Sequence, residues 1–169
     1  YVKPDWPVAT GPDRYRRALY VFRKRSMPDP ALSTFDAPTA DTACVRRPRS
    51  NTPLAALTWL NEPIFVEASQ ALALRILREG GRNDAARADY AYRLCTGRGI
   101  KPAERTALLQ LLAVQRKQIA EGWLQSNQIA SGDDAKRPAL PPHTIPQDAA
   151  AWTIAARVLL NLDETLTKN

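Results

Sequence analysis

The sequence predicts an all-α protein, an irregular bundle of about five to six helices with a proline-rich extended arm near the N-terminus. Three observations lead there. Apolar residues recur at helical spacing, as in Leu108, Leu111, Leu112 and Ile119. Helix-starting residues head these segments at Thr52-Pro53, Asn83 and Pro102, and Gly80-Gly81 and Thr96-Gly97 close them. Pro28, Pro30 and Pro38 fix φ and remove amide donors, so Ser26 to about Asp41 reads as an extended arm with Leu32 and Phe35 as its anchors.

Taken in order, residues 1–13 form an irregular lead-in. From Arg14 to Arg25, Tyr15, Ala18, Leu19 and Phe22 share one helical face, while the basic residues Arg16, Arg17, Arg23, Lys24 and Arg25 cover the others. That pattern predicts an amphipathic basic helix. After the arm and an arginine-rich turn, Thr52 caps a helix beginning at Pro53, where a proline loses no intrahelical bond. Pro63 interrupts it, and a second piece runs to about Glu79 with Phe65, Ala68, Leu72 and Ile76 as its seam. The next helix carries Ala86, Tyr90 and Leu94 on one side and pairs with the Pro102 to Gly122 helix as a hairpin. Residues 131–146 read as a proline-rich loop. The last helix runs from Gln147 or Asp148 to about Leu166, with Arg157 and Asn161 facing outward.

A length of 169 residues suits a single domain over 1–169, and no stretch approaches the ~20 apolar residues of a membrane span. The net charge of +7 is uneven, since residues 1–50 hold ten Lys/Arg against five Asp/Glu. A basic N-terminal surface draws acidic protein, anionic polysaccharide or nucleic acid through the same electrostatic attraction; the alternative is a set of arginines that are solvated or paired within the chain. Nucleic acid is the least favoured of these.

Asp163 breaks the apolar seam of the last helix between Ala156 and Leu159, so a buried or half-buried partner is expected, an arginine of the 46–49 turn or of helix 14–25. No catalytic residue is assigned. His143 is the one histidine and sits in the proline-rich loop, which excludes a multi-histidine metal site within this chain. With no Cys-x-x-Cys-His, no phosphate loop and no serine elbow, no cofactor is expected to bind this chain. Cys44 and Cys95 read as two buried thiols; the alternatives are a disulfide closing a loop of about 50 residues, and a redox role. Trp59 and Trp152 suit a core, whereas Trp6 and Trp123 are freer to serve as stacking platforms.

Four blocks carry a family likeness: Arg16-Arg17-Ala18-Leu19-Tyr20-Val21-Phe22 with Lys24-Arg25; Phe35-Asp36-Ala37-Pro38 with Cys44-Val45-Arg46-Arg47 and Asn51-Thr52-Pro53-Leu54-Ala55-Ala56-Leu57; Leu60 to Ala68; and Ala156 to Thr165. In this order they resemble the conserved C-terminal domain, of PSD type and without an assigned biochemical role, of large secreted planctomycete-type proteins that carry cytochrome c-like modules. Ala18 and Ala55 stand where the family pattern has Ser and Gln. The resemblance implies an extracytoplasmic setting, a longer parent of which this chain is a C-terminal piece, and haem c in a partner or parent module rather than here.

Two functional readings follow. In the first, a non-catalytic structural or interaction domain docks neighbouring domains through the basic helix and the Arg46, Arg47, Arg49, Asn51 turn. In the second, the domain contributes to an enzyme acting on an anionic polysaccharide or redox substrate, with Arg46, Arg47, Asp36 and Asp163 as its polar cluster. Arginines tied to Asp36, Asp163 and helix C-termini favour the first; a solvent-facing arginine cluster in a concave pocket favours the second.

Overall fold

The computed structural model describes residues 9, 11–24, 27–48, 50–131 and 140–167. Arg25, Arg49, Trp6 and residues 132–139 of the predicted loop lie outside the described residues. Eight α-helices are present among them: α1 (Pro30–Thr34), α2 (Pro53–Asn61), α3 (Pro63–Glu79), α4 (Asp84–Thr96), α5 (Pro102–Ala120), α6 (Ser126–Ser131), α7 (Pro146–Leu160) and α8 (Asp163–Leu166). The all-α expectation holds. The chain forms two compact units, Tyr1–Ala55 and Ala56–Asn169.

In the first unit the predicted helix over Arg14–Arg25 is replaced by two short 3-10 turns, Gly11–Tyr15 and Ala18–Tyr20. Arg17 is extended (φ −61°, ψ 147°) and breaks the ladder between them. A segment this short is marginal as a helix on its own, and its apolar face stays largely exposed, with Leu19 at 81% and Phe22 at 72%. The arm is not wholly extended either. Asp29 accepts a hydrogen bond from the Leu32 amide (3.0 Å) and Pro30 takes the first helical position, which suffices for the one-turn α1. Leu32 and Phe35 are half-buried, as expected of anchors. Among the described residues of this unit only Ala55 is buried, so polar contacts to backbone carry most of its organisation.

The second unit is built around α7. Ala149, Ala150, Ala151, Trp152, Thr153, Ala155, Ala156 and Leu159 are all buried, which means the helix is covered on nearly every side, by α3, α5 and α6 foremost. Its alanines let neighbouring backbones approach closely, while Trp152 fills the larger space beside Ile76 and Leu112 in the fully buried core. The buried hydroxyls are satisfied within their own helices: Thr153 donates to the Ala149 carbonyl (2.8 Å) and Ser69 to that of Phe65 (2.7 Å).

Most predicted boundaries hold. Thr52 Oγ1 accepts from the Ala55 amide (3.1 Å), Glu62 is the single non-helical residue between α2 and α3, and Asn83 caps α4 by accepting from Ala86 (2.8 Å). Gly97 ends α4 in the left-handed region at φ 81°. The faces differ in two places. On α3, Ser69, Ala73, Ile76 and Leu77 point inward and Ala68 outward; on α4, Ala88, Ala91, Tyr92 and Cys95 are buried while Leu94 is exposed. On these inward faces Ser69, Ala73, Ala88 and Ala91 permit close approach of neighbouring helices beside the larger Ile76, Leu77 and Tyr92.

The last helix ends six residues early. Asn161 caps α7 and Leu162 is extended (φ −66°, ψ 140°), so the 100° progression does not continue into Asp163. Leu162 packs on the core in its place. Asp163 is exposed, not buried, and its carboxylate accepts from Thr167 Oγ1 (3.1 Å).

Candidate interaction surface

Asp36 follows α1 at φ 54°, a left-handed conformation that aspartate tolerates when its short side chain finds local donors. Here Oδ2 accepts from both the amide and the hydroxyl of Ser50, each at 2.7 Å. The Ser50 bonds, hydroxyl before amide, hold this carboxyl below its usual range, with a smaller contribution from the nearby Arg47 charge. Arg47 in turn donates to the carbonyls of Phe35 (Nη2, 3.3 Å) and Asp36 (Nε, 3.4 Å). Those carbonyls lie at the C-terminal end of α1, where a guanidinium both satisfies orphan acceptors and meets the negative end of the helix. The sequence-predicted Asp36 and Arg47 are thus brought together, in an architectural role. Arg46 and Asn51 are exposed, and Asp163 belongs to α8 of the other unit.

The basic segment is a surface. Arg16 pairs with Asp13 (2.7 Å, both well exposed), Arg23 donates to the Pro38 carbonyl, and Arg14 lies 5.8 Å from the Tyr15 ring centre. Between these cations Tyr15, Leu19, Tyr20 and Phe22 are all exposed. A cleft of about 110 Å³ beside it is lined by Arg23, Lys24, Asp29, Leu32 and Asp41, among others. Its polar groups are engaged locally: Asp29 caps α1 and Arg23 holds Pro38.

Three arginine clusters in the second unit escaped the sequence reading. Arg98, in the α4–α5 turn, grips Glu104 with two bonds (2.7 and 3.0 Å) and Glu164 of α8 (2.7 Å), donates to the Tyr92 hydroxyl (3.0 Å), and lies 4.9 Å from that ring's centre. The Arg98 bonds, followed by the Lys101 amide, pull the Glu104 carboxyl down to about 2, and the Arg98 guanidinium is held charged more firmly than usual. Arg116 of α5 spans Asp84 (Nη2, 3.0 Å) and Asp148 (Nε, 2.8 Å), the first-turn acids of α4 and α7. Arg116 is the main cause of a lowered Asp84 carboxyl, with a minor contribution from the buried Trp152 indole N–H, which makes no hydrogen bond of ordinary length.

The third cluster corrects the expectation that Arg157 and Asn161 face outward. Arg157 donates to the Leu60 carbonyl at the C-terminal end of α2, and Asn161 Nδ2 to that of Ala56 (3.4 Å) earlier in the same helix. The signal available was Pro63: a helix stopped there leaves open carbonyls that a cation on a neighbouring helix can meet.

Both cysteines are free thiols, Cys95 buried and Cys44 exposed, so the expectation of two buried thiols holds only for Cys95. Burial pushes the Cys95 thiol up to about 11. Trp152 is core, Trp59 is half-buried and stacks on Phe65 with ring centres 3.8 Å apart, and Trp123 is 78% exposed. Among the described residues no group of three or more His, Cys, Asp or Glu is placed to hold a metal ion, and no helix is long and apolar enough to cross a membrane.

A family model described as a protein of unknown function, DUF1553 (PSD1), matches residues 2–112. The chain belongs to this family. The DUF1553 match contains the first three sequence blocks, and the fourth, Ala156 to Thr165, lies beyond it. It ends at Leu112, a fully buried residue in the middle of α5, so its limit is not a structural boundary. The helix that fills the core of this DUF1553 protein, α7, lies past that limit. No curated protein and no solved structure matches the chain.

Proposed function

We propose that this chain is a non-catalytic structural or interaction domain of a large secreted, cytochrome c-associated protein, docking an acidic face of a neighbouring domain or chain through its basic N-terminal surface. The observation that carries this reading is the engagement of Arg47 with the end of α1 and of Asp36 with Ser50. Arg47, a cation that would serve an anionic substrate, is committed to holding a turn, which weighs against a role in an enzyme on anionic polysaccharide or a redox substrate. Arg16, Arg17, Arg23 and Lys24, interleaved with exposed Leu19, Tyr20 and Phe22, have the composition of a protein interface more than of a purely solvated face.

The extracytoplasmic setting, the planctomycete-type parent and the haem-bearing neighbour belong to this proposal and rest on the four sequence blocks. Haem c, in this reading, sits in the neighbour and is not held by this chain. The test is the native mass and visible spectrum of the protein isolated from its source without denaturation. A larger haem-bearing species that dissociates with salt supports docking; a colourless monomer, or an assembly unaffected by R16E/R17E, overturns it.

A further inference from the structure

Residues 14–24 carry a helical pattern that the chain does not use. Tyr15, Ala18, Leu19 and Phe22 stand at i, i+3, i+4 and i+7, the spacing by which a helix presents one apolar face, yet the backbone forms two 3-10 turns separated by the extended Arg17. Tyr15, Leu19 and Phe22 are 57%, 81% and 72% exposed. Two forces oppose the helix here. Arg14, Arg16, Arg17, Arg23 and Lys24 repel one another along so short a segment, and the apolar stripe stays mostly open to water. An acidic partner with an apolar seam removes both.

Resting on the docking reading above, we propose that residues 14–24 fold into an amphipathic helix on the partner, inserting Tyr15, Leu19 and Phe22 into an apolar seam flanked by carboxylates. Coupled folding of this kind couples specificity, set by the apolar stripe, to a salt-dependent encounter set by the cations.

Ala18 supplies the discriminating substitution. It opens the second 3-10 turn, and Arg17 before it already has the extended conformation that precedes proline, so Ala18→Pro suits the turn. The same proline breaks a helix over 14–24. The full chain is titrated with a designed acidic amphipathic peptide of Glu and Leu, with polyglutamate and with phosphatidylglycerol vesicles, following affinity and ellipticity at 222 nm. The expected result is tightest binding to the amphipathic peptide with a gain in helix signal, weakened about tenfold or more by A18P and by L19S/F22S. Equal binding by A18P, equal affinity for polyglutamate, preference for the vesicles, or no binding to the peptide overturns the coupled-helix inference. R16E/R17E separates the two levels: if it leaves peptide binding intact, the docking surface itself is wrong; if it abolishes binding while A18P does not, docking stands and the helix falls.

Discussion

Arg98 and Glu164, 66 residues apart in sequence, meet at 2.7 Å and fasten α8 to the turn between α4 and α5. The same guanidinium holds Glu104, whose carboxylate also accepts from the Lys101 amide (2.8 Å) at the start of α5. One side chain thereby sets the C-terminal segment, a helix start and the Tyr92 ring in register.

Because Glu104 sits near pKa 2 in the folded protein, against 4.5 as its ordinary value, its contribution is complete above the ordinary value and is lost as pH falls through the folded one. Thermal unfolding followed from pH 7 to pH 2 is expected to show a falling midpoint across that window. Glu104→Gln should flatten this part of the profile and lower the midpoint at neutral pH.

Arg116 bridges Asp84 and Asp148 with about a third of its side chain still open to water. Removing it leaves two carboxylates close together, and after allowing for solvent screening Arg116→Met should cost about 1–3 kcal/mol in urea unfolding. A double-mutant cycle with Asp84→Asn is expected to return a favourable coupling; additivity would show the contact to be inert.

Leu112 is fully buried where α5 meets the core, so Leu112→Ala should destabilise by about 2–5 kcal/mol. A chain cut after Leu112 loses α7 and most of the cover for α3. Its far-UV spectrum and urea profile should show no cooperative transition.

The two thiols should separate kinetically. Exposed Cys44 is expected to react with a thiol reagent at pH 8 in the native protein, whereas Cys95, buried and with its thiol near 11, should react only as the protein unfolds. Two fast equivalents would show that α4 opens readily.

Helix starts and stops were legible because they depend on local chemistry: Thr52 with Pro53, Glu62 with Pro63, Asn83 and Gly97 act within one turn. Which face turns inward was less legible, since Ala88 and Ala91 outrank Leu94 only when the closeness of the neighbouring helix is known. Basic helix 14–25 was legible as a pattern but not as a structure, for the pattern records what the segment can cover, not what it packs against. At the candidate site, the Asp36–Arg47 association was readable as a cluster, while the destination of Arg47, two carbonyl oxygens, is a property of backbone that side-chain identity does not announce.

The alanines of α7 give the protein little room to vary. A methylene added at Ala150, Ala151 or Ala155, none of which has any exposed surface, has no space to enter except by moving a neighbouring helix. Changes in α3 and α5 are tolerable only when α7 makes room for them, so the two sides of residue 112 must drift together, and related chains should show paired exchanges of size between Ala73, Ile76 or Leu108 on one side and the α7 alanines on the other.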